Sequence, residues 1–413
     1  MIMVHNLIQV TAEKYELEQC FDWSLVGYPS YDGVGWLPDG INNRTILRRA
    51  LVYLPVVDMA GRTNMRYALA GCENLANIPD LDTSNSKDFS YAFSGCKSLR
   101  SIPPLDTGNS VNFESAFSGC SGLTSIPQLD TGNSENFESA FSGCSGLTSI
   151  PQLDTSKGTN FQSMFYGCSG LTSIPQLDTG KGTNFSSMFY GCSGLTSIPQ
   201  LDTSKGTNVA HMFENCKIEN VESFSAPLVD GAQGVFAECK NLKTVGMVDL
   251  RNASDVSMLF ELCDTLTSVG SIRLGKAKEI WGMFSGCKSL TQIPPIDVRS
   301  ATNCNRSFDY CEHLATLGTE DVPDADGNLV APWQFKVSIG FGYCPLDKAS
   351  IECVMNNIQT VKTTQTLAIS KTTALNICGQ TDRYYDYAND AHYLEMMKVC
   401  TDKGWTVAVN SRY

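Results

Sequence analysis

Hydrophobic and polar positions along most of the chain follow one pattern that repeats about every 24 residues, a period typical of solenoid proteins. In such proteins, stacked repeats share one continuous core. The segment from Asn136 to Thr155 also occurs unchanged at residues 112–131, and diverged copies lie on both sides of it. A cysteine marks the phase of each copy, with one step a single residue shorter than the others, at Cys72, Cys96, Cys120, Cys144, Cys168, Cys192, Cys216, Cys239, Cys263, Cys287 and Cys311.

Each copy predicts a short helix followed by a short strand. Apolar side chains between Phe113 and Cys120 are spaced at i, i+3, i+4 and i+7, which is the spacing of one helical face. Gly119 is placed to end that helix in the left-handed conformation. Leucine and isoleucine between Leu123 and Ile126 then fit a short strand that soon bends.

Proline or glycine follows this strand in most copies. Proline removes a donor from the ladder of a sheet, so both residue types predict a turn rather than a central strand. The column consists of Pro79, Pro103, Pro127, Pro151, Pro175, Pro199, Gly246, Gly270, Pro294 and Gly318.

One strand, one turn and one short helix per unit predict an α/β repeat solenoid of the leucine-rich-repeat type, capped at both ends. A parallel β-helix is the alternative, and the helical spacing of the phenylalanines favours the former. Counting a degenerate first copy, residues 46–318 would hold about twelve units. Residues 1–45 are interpreted as an N-terminal cap or an attachment region, and residues 319–413 as a C-terminal cap.

The predicted C-terminal cap has the order β-α-β-α-β. Alternating apolar residues from Trp333 to Phe341 predict a strand, and Asp347 is suited to cap the helix that follows. A second strand is expected at Thr366 to Ile369, a second helix from Ala391 to Lys403, and a last strand from Trp405 to Val409. This order is expected of a segment that closes a repeat stack.

The N-terminal segment, residues 1–45, leaves two interpretations open. A cap would cover the core of the first repeat, which water would otherwise reach. Exposed aromatic residues are also favoured at interfaces, so the same segment could attach the chain to a larger assembly. The candidate attachment residues are Trp23, Tyr28, Tyr31 and Trp36.

Charge and hydropathy restrict the partners. A formal net charge of -13 disfavours nucleic acid and anionic membranes, which select basic surfaces. No run of about 18 apolar residues is present, so we expect no membrane insertion. The segment Met1 to Asn6 has neither a positive region nor a small-residue cleavage site, so we expect no signal peptide in this sequence.

The cysteine column is interpreted as buried free thiols. Equivalent side chains in a stack point the same way, which does not favour bridging between neighbouring copies. A disulfide framework is the alternative. Small apolar fillers of this kind agree with assembly in a reducing compartment.

Three runs carry a resemblance to a known family, namely Met164 to Ile174, Leu177 to Gly180 and Thr183 to Phe189. They resemble the BspA-like leucine-rich repeats and the related bacterial surface-protein repeat of unknown function. The resemblance implies a solenoid used for adhesion or host recognition, on bacterial surfaces or in phage tails. Because members of this class are usually exported, the expected lack of a signal peptide favours a virion protein over a secreted adhesin.

No enzyme motif, metal-ligand spacing or cofactor motif is evident in the sequence, so we expect a non-catalytic protein without cofactor or metal. Aspartate recurs once per unit, for example at Asp106, Asp130 and Asp154. Each carboxylate would accept a backbone N–H two residues on, in an Asx turn. A row of shared calcium sites is the alternative, although one carboxylate per unit supplies few of the oxygens that calcium requires.

Short polar side chains beside the strands predict a ligand-binding strip. Hydroxyls and amides in a regular row could hydrogen-bond a repeating ligand such as a glycan, or could simply be solvated. We therefore expect a recognition or adhesion protein for a cell-surface glycan or protein, such as a receptor-binding component of a phage tail. A structural virion protein contacting other virion proteins and an exported bacterial adhesin are the alternatives. The strip residues are Thr124, Ser125, Gln128, Thr148, Ser149, Gln152, Thr172, Ser173, Gln176, Thr196, Ser197 and Gln200.

Overall fold

The structure is a computed structural model that describes residues 63–410. The chain divides into two compact units, Met1–Asp202 and Thr203–Tyr413, called here the first and second units. Repeats with a period of about 24 residues build the described part of the first unit and most of the second. The predicted leucine-rich-repeat solenoid is confirmed.

Each repeat contains turns at the position where a short helix was expected. Between Phe113 and Cys120, successive backbone N–H groups donate alternately within the repeat and to the next repeat. Ala116 N–H donates to Phe113 O within the repeat (3.0 Å), and Phe117 N–H donates to Ala140 O in the next repeat (2.8 Å). An α-helix would satisfy these donors internally, four residues back. The expected helix is therefore wrong, because neighbouring repeats provide the acceptors instead.

Left-handed residues shape these turns. Gly119 has φ 74°, as predicted, and its equivalents share the same conformation. Nothing in the residue pattern indicated that Ser115 would also be left-handed, with φ 52°. Two left-handed residues per turn keep the backbone from continuing as a helix, and they direct its N–H groups toward the next repeat.

Phenylalanine ladders form the core of the first unit. The rings of Phe117 and Phe141 stack with centroids 5.5 Å apart, and both side chains are buried. Buried leucine and isoleucine columns complete the core on the strand side. The apolar spacing that suggested a helical face is thus the spacing of one wall of this core.

The cysteine column lies in the same core as buried thiols, which confirms that interpretation for Cys120, Cys144, Cys168 and Cys192. The Cys120 Sγ–H donates to Phe93 O of the preceding repeat, at 3.1 Å. Burial raises the pKa of Cys120 to about 12, so the thiol stays protonated and keeps this donor. The column therefore contributes hydrogen bonds between repeats as well as apolar volume.

The second unit contains a five-stranded parallel sheet in the order β1-β2-β3-β4-β5. Glycines that predicted a turn here, Gly246 and Gly270, instead lie inside β2 and β3. A Cβ at Gly246 would collide with the carbonyl oxygen of Glu222, so glycine permits the close approach of two strands. The bounds are β1 Asn220–Ser225, β2 Thr244–Asp249, β3 Ser268–Arg273, β4 Gln292–Ile293 and β5 Thr316–Leu317.

A short antiparallel hairpin and a three-stranded parallel sheet follow, the latter in the order β10-β9-β8. The strand and helix order expected here is observed, with one further helix, α2, which begins where β9 ends. The strand expected from Trp333 to Phe341 is limited to its last three residues, because Trp333 has a left-handed backbone with φ 59°. Ser370 caps α2 by accepting a hydrogen bond from Thr373 N–H. The bounds are β6 Val322–Pro323, β7 Leu329–Val330, β8 Ile339–Phe341, α1 Lys348–Asn357, β9 Gln365–Ser370, α2 Lys371–Ile377, α3 Ala391–Asp402 and β10 Trp405–Asn410.

The side-chain ladders of the repeats continue into this C-terminal segment. Phe341 stacks on Phe308 with centroids 4.6 Å apart, and Tyr343 stacks on Tyr310 at 4.7 Å. The Cys344 Sγ–H donates to the Phe308 carbonyl at 3.5 Å. Residues 341–344 therefore take the place of one further repeat turn, although Cys344 follows the last cysteine of the column by more than one repeat length.

Candidate functional site

The predicted strip lies on the surface of the first unit. Threonine, serine and glutamine positions of successive repeats, such as Thr148, Ser149 and Gln152, are exposed. Buried Ile150 and Leu153 alternate with them and face the core. Leucine and isoleucine face the core as expected, but residues 147–153 form no strand, so the short strand predicted for each copy is wrong in the described part of the first unit.

Glutamine amides form a ladder along the strip. The Gln128 Nε2 donates to the backbone oxygen of Gln152 at 2.6 Å, and the bond recurs from Gln152 to Gln176 and from Gln176 to Gln200. Within the described residues, the Gln128 Oε1 accepts no hydrogen bond from the chain. Each amide is thus fixed in orientation with its acceptor available to solvent.

The hydroxyl columns differ from each other. Thr148 Oγ1 donates to Thr124 O at 3.5 Å, and Thr172 Oγ1 donates to Thr148 O at 3.4 Å, which are long bonds. Over residues 63–410, the hydroxyls of Ser125 and Ser149 make no hydrogen bond within the chain. The serines are therefore the side chains of the strip with both donor and acceptor free for a ligand.

Aspartates beyond the strip form Asx turns, as interpreted from the sequence. The Gly132 N–H donates to Asp130 Oδ1 at 3.2 Å, and the Ser156 N–H donates to Asp154 Oδ1 at 3.0 Å. Hydrogen bonds from the Ser156 hydroxyl and backbone lower the pKa of Asp154. Across the described part of the chain, no group of three His, Cys, Asp or Glu side chains is arranged to hold a metal ion.

Arginine pairs with this aspartate column in the second unit, a feature that the sequence did not predict. Arg299 donates from Nε to Asp297 Oδ1 at 3.0 Å and from a terminal nitrogen to Asp324 at 3.2 Å. Arg251 and Asp249 form a similar pair. The pairs with Asp249 and Asp297 lie within a single repeat, and only the bond from Arg299 to Asp324 reaches the following one.

The candidate attachment residues lie outside the described residues. Trp23, Tyr28, Tyr31 and Trp36 precede residue 63, where the described part of the chain begins. Their role in attachment stays a prediction.

Exposed tyrosines elsewhere were not singled out from the sequence. Tyr166 is 41% exposed and stacks on Tyr190, and Tyr310 is 49% exposed. Tyr384, in the segment between α2 and α3, is 78% exposed. The cluster of three tyrosines at residues 384–387 was the signal that could have identified this last surface.

Two regions of the chain match known protein families. Residues 63–172 and 111–226 match the family described as Mycoplasma protein of unknown function, DUF285. Residues 184–271 match the family described as BspA type leucine-rich repeat region. Neither description names an enzyme, and a comparison with curated proteins finds no match. BspA-type repeats occur in surface proteins.

Solved structures with similarity to the chain include a leucine-rich repeat protein from Bacteroides ovatus. It is 15% identical, with 87% of this chain and 96% of that chain covered and a TM-score of 0.39. A plant peptide hormone receptor, RGFR1 in complex with RGF2, is 10% identical, with coverage of 81% and 70% and a TM-score of 0.15.

Within residues 63–410, no helix has the length and apolar character needed to cross a bilayer. The regular repeat period and the stacked turns agree with the matched leucine-rich repeat region. The chain is thus a repeat protein that is similar to the BspA-like leucine-rich repeat proteins, with the matched repeat region at residues 184–271.

Proposed function

We propose that this chain is a non-catalytic recognition protein that binds a glycan or protein on a bacterial cell surface, as a receptor-binding component of a phage tail. The observation that carries the proposal is the exposed strip, whose serine and glutamine side chains recur at 24-residue intervals from Ser125 to Gln200. Equivalent groups in such a stack are about 5 Å apart.

The strip is suited to binding because its groups are already ordered. The Gln152 amide is held by its bond to Gln176 O at 2.6 Å, so little side-chain freedom would be lost when a ligand arrives. Ser149 lies three residues before it and has a free hydroxyl. A ligand with evenly spaced hydroxyls, such as a polysaccharide, would meet both kinds of group at each repeat.

Identical copies favour a repeating ligand over a single epitope. The segment from Asn112 to Thr131 recurs unchanged at residues 136–155, so adjacent repeats offer the same groups. Several weak contacts with one polymer chain act together, because each bound unit raises the effective concentration of the next. Such a ligand would gain affinity with its length.

A structural role in the virion is the second candidate, and the glutamine ladder also supports it. The Gln128 Nε2 is occupied by an inter-repeat bond, as expected of a side chain that stiffens a stack. In that case the repeats would supply reach, and Trp23 and Trp36 would contact other virion proteins. An exported bacterial adhesin would use the strip as the first proposal does.

A glycan array and intact host cells, probed with the full chain, test the first proposal. Ser125→Ala, Ser149→Ala and Ser173→Ala together remove three successive serine hydroxyls of the strip without altering the glutamine ladder. Loss of three hydrogen bonds of about 1 kcal/mol each predicts a fall in affinity of about a hundredfold.

The matched control carries Ser121→Ala, Ser145→Ala and Ser169→Ala, which are exposed serines four residues earlier in the same repeats. We expect this control to bind as the parent chain does. Equal losses in both variants, or no binding of the parent chain to any glycan or cell, would contradict the recognition proposal. Binding only to virion proteins, weakened by Trp23→Ser with Trp36→Ser, would support the structural role.

A further inference from the structure

A tyrosine-rich loop, residues 379–390, joins α2 to α3 in the second unit. It holds Tyr384, Tyr385 and Tyr387, and most of its other side chains are exposed. Tyr384 is 78% exposed, the highest value among the large exposed hydrophobic residues of the described chain. An aromatic ring held so far into solvent contributes little to the fold and is favoured at binding surfaces.

Hydrogen bonds within the loop fix its backbone. The Tyr384 N–H donates to Asp382 Oδ1 at 2.9 Å, and the Tyr385 N–H donates to the Asp382 carbonyl at 3.0 Å. Asn389 Nδ2 donates to Asp386 Oδ2 at 2.6 Å. The loop is thereby ordered before any partner binds, which lowers the entropy cost of recognition.

Contacts with α3 anchor the loop to the rest of the second unit. Tyr385 donates its hydroxyl to Asp390 Oδ2 at 2.8 Å, and Asp390 caps α3 by accepting from the N–H groups of His392 and Tyr393. The Tyr387 ring packs edge-on against the Tyr393 ring with centroids 5.3 Å apart. Two of the three tyrosines therefore support the loop, and Tyr384 is left to contact a partner.

Arg383 orients the exposed ring. Its guanidinium lies 4.9 Å from the centroid of the Tyr384 ring and donates to the Tyr384 hydroxyl at 2.7 Å. Tyrosine, arginine, asparagine and glycine in an ordered loop are the composition of protein-binding paratopes. Three aspartates against one arginine give residues 379–390 two excess negative charges.

We propose that the tyrosine-rich loop is a second recognition surface, which binds a protein segment presenting an arginine or lysine side chain. The cation would lie against the exposed face of Tyr384 and near the carboxylates of Asp382 and Asp386. The excess negative charge favours this partner over a neutral glycan, for which charge supplies no attraction. This proposal does not rest on the function proposed for the strip.

A random peptide library displayed on phage, panned against the full chain, tests this proposal. We expect the recovered peptides to be enriched in arginine and lysine, and synthetic copies to bind at least tenfold more weakly to Tyr384→Ser. Asp386→Asn should weaken them too, and raising the salt from low to physiological concentration should do the same, since part of the attraction is between charges.

Tyr166→Ser is the matched control, because it removes a 41% exposed tyrosine from the first unit. It should leave peptide binding unchanged, as should the serine variants of the strip. Recovery of no peptide, recovery of peptides without cationic residues, or equal binding to Tyr384→Ser would overturn the proposal. A glycan bound by the parent chain and lost in Tyr384→Ser would overturn the protein class of the partner. Thermal unfolding of each variant would identify any loss that comes from misfolding.

Discussion

Substitution of Gly246 by alanine tests how the parallel sheet of the second unit is built. The added Cβ would approach the Glu222 carbonyl oxygen inside the 3.0 Å that real Cβ atoms essentially never show. The atoms that the Cβ would meet all belong to the Glu222 backbone, so no flexible side chain can move aside. Strands β1 and β2 would have to separate locally, between the pairs Val221 with Val245 and Ser223 with Met247.

The expected destabilisation follows from the contacts at risk. Overpacking costs about 1–3 kcal/mol. Weakening of two ladder hydrogen bonds adds about 1 kcal/mol each. Alanine recovers about 0.4–1 kcal/mol by restricting the unfolded chain. We therefore expect Gly246→Ala to lower the free energy of unfolding of the second unit by about 2–5 kcal/mol.

Hydrogen exchange of peptides covering β1 and β2, together with urea denaturation followed by circular dichroism, would measure this change. Gly340→Ala is the matched control, because Gly340 lies in strand β8 and its added Cβ would meet only the Ala368 Cβ, at 4.0 Å. The control should be neutral or slightly stabilising. The reasoning is refuted if Gly246→Ala exchanges and unfolds as the parent chain does.

Three further predictions concern local contacts. Asp347 caps α1 by accepting a hydrogen bond from Ser350 N–H at 2.8 Å. Asp347→Ala should lower the free energy of unfolding, measured by urea denaturation, by about 1 kcal/mol. An unchanged denaturation midpoint would show that the cap is dispensable. The hydrogen bond to Glu214 raises the pKa of His211 above 6.5. The stability that this bond gives the folded chain is therefore fully present below pH 6.5 and is lost as the pH rises through the pKa of the folded state. His211→Gln should abolish this part of the pH dependence of stability, and an unaltered stability profile would contradict it. Cys120, whose pKa is about 12, should resist a thiol reagent at pH 8 until the first unit unfolds, and rapid labelling of the native chain, located by mass spectrometry, would argue against its burial.

Sequence periodicity by itself determined the repeat fold and the identity of the core. The regular spacing of phenylalanine, cysteine and leucine allows few arrangements other than a stack, because each copy is too short to bury its own apolar face. The Asx turns at Asp130 and Asp154 and the Asp347 cap were also predictable, because each depends on neighbours within a few residues. The elements from β8 to β10 followed from local apolar patterns in the same way, apart from α2, which is too short to show a helical period.

Contacts between repeats decided what the sequence could not. The spacing of Phe113 and Phe117 is the same for a helix and for a turn, and the choice was made by acceptors in the next repeat, such as Ala140 O. Gly246 was compatible with a turn or with two closely approaching strands, and only the position of Glu222 distinguished them.

The recognition surfaces depended on tertiary structure for the same reason. The strip residues were identifiable as a row, but the orientation of Gln128 is set by the carbonyl of Gln152, one repeat later. Tyr384 stays exposed, whereas its neighbours Tyr385 and Tyr387 are anchored to Asp390 and Tyr393 at the start of α3. A sequence read one residue at a time records which groups are present, whereas the partners that fix or free them come from segments distant along the chain.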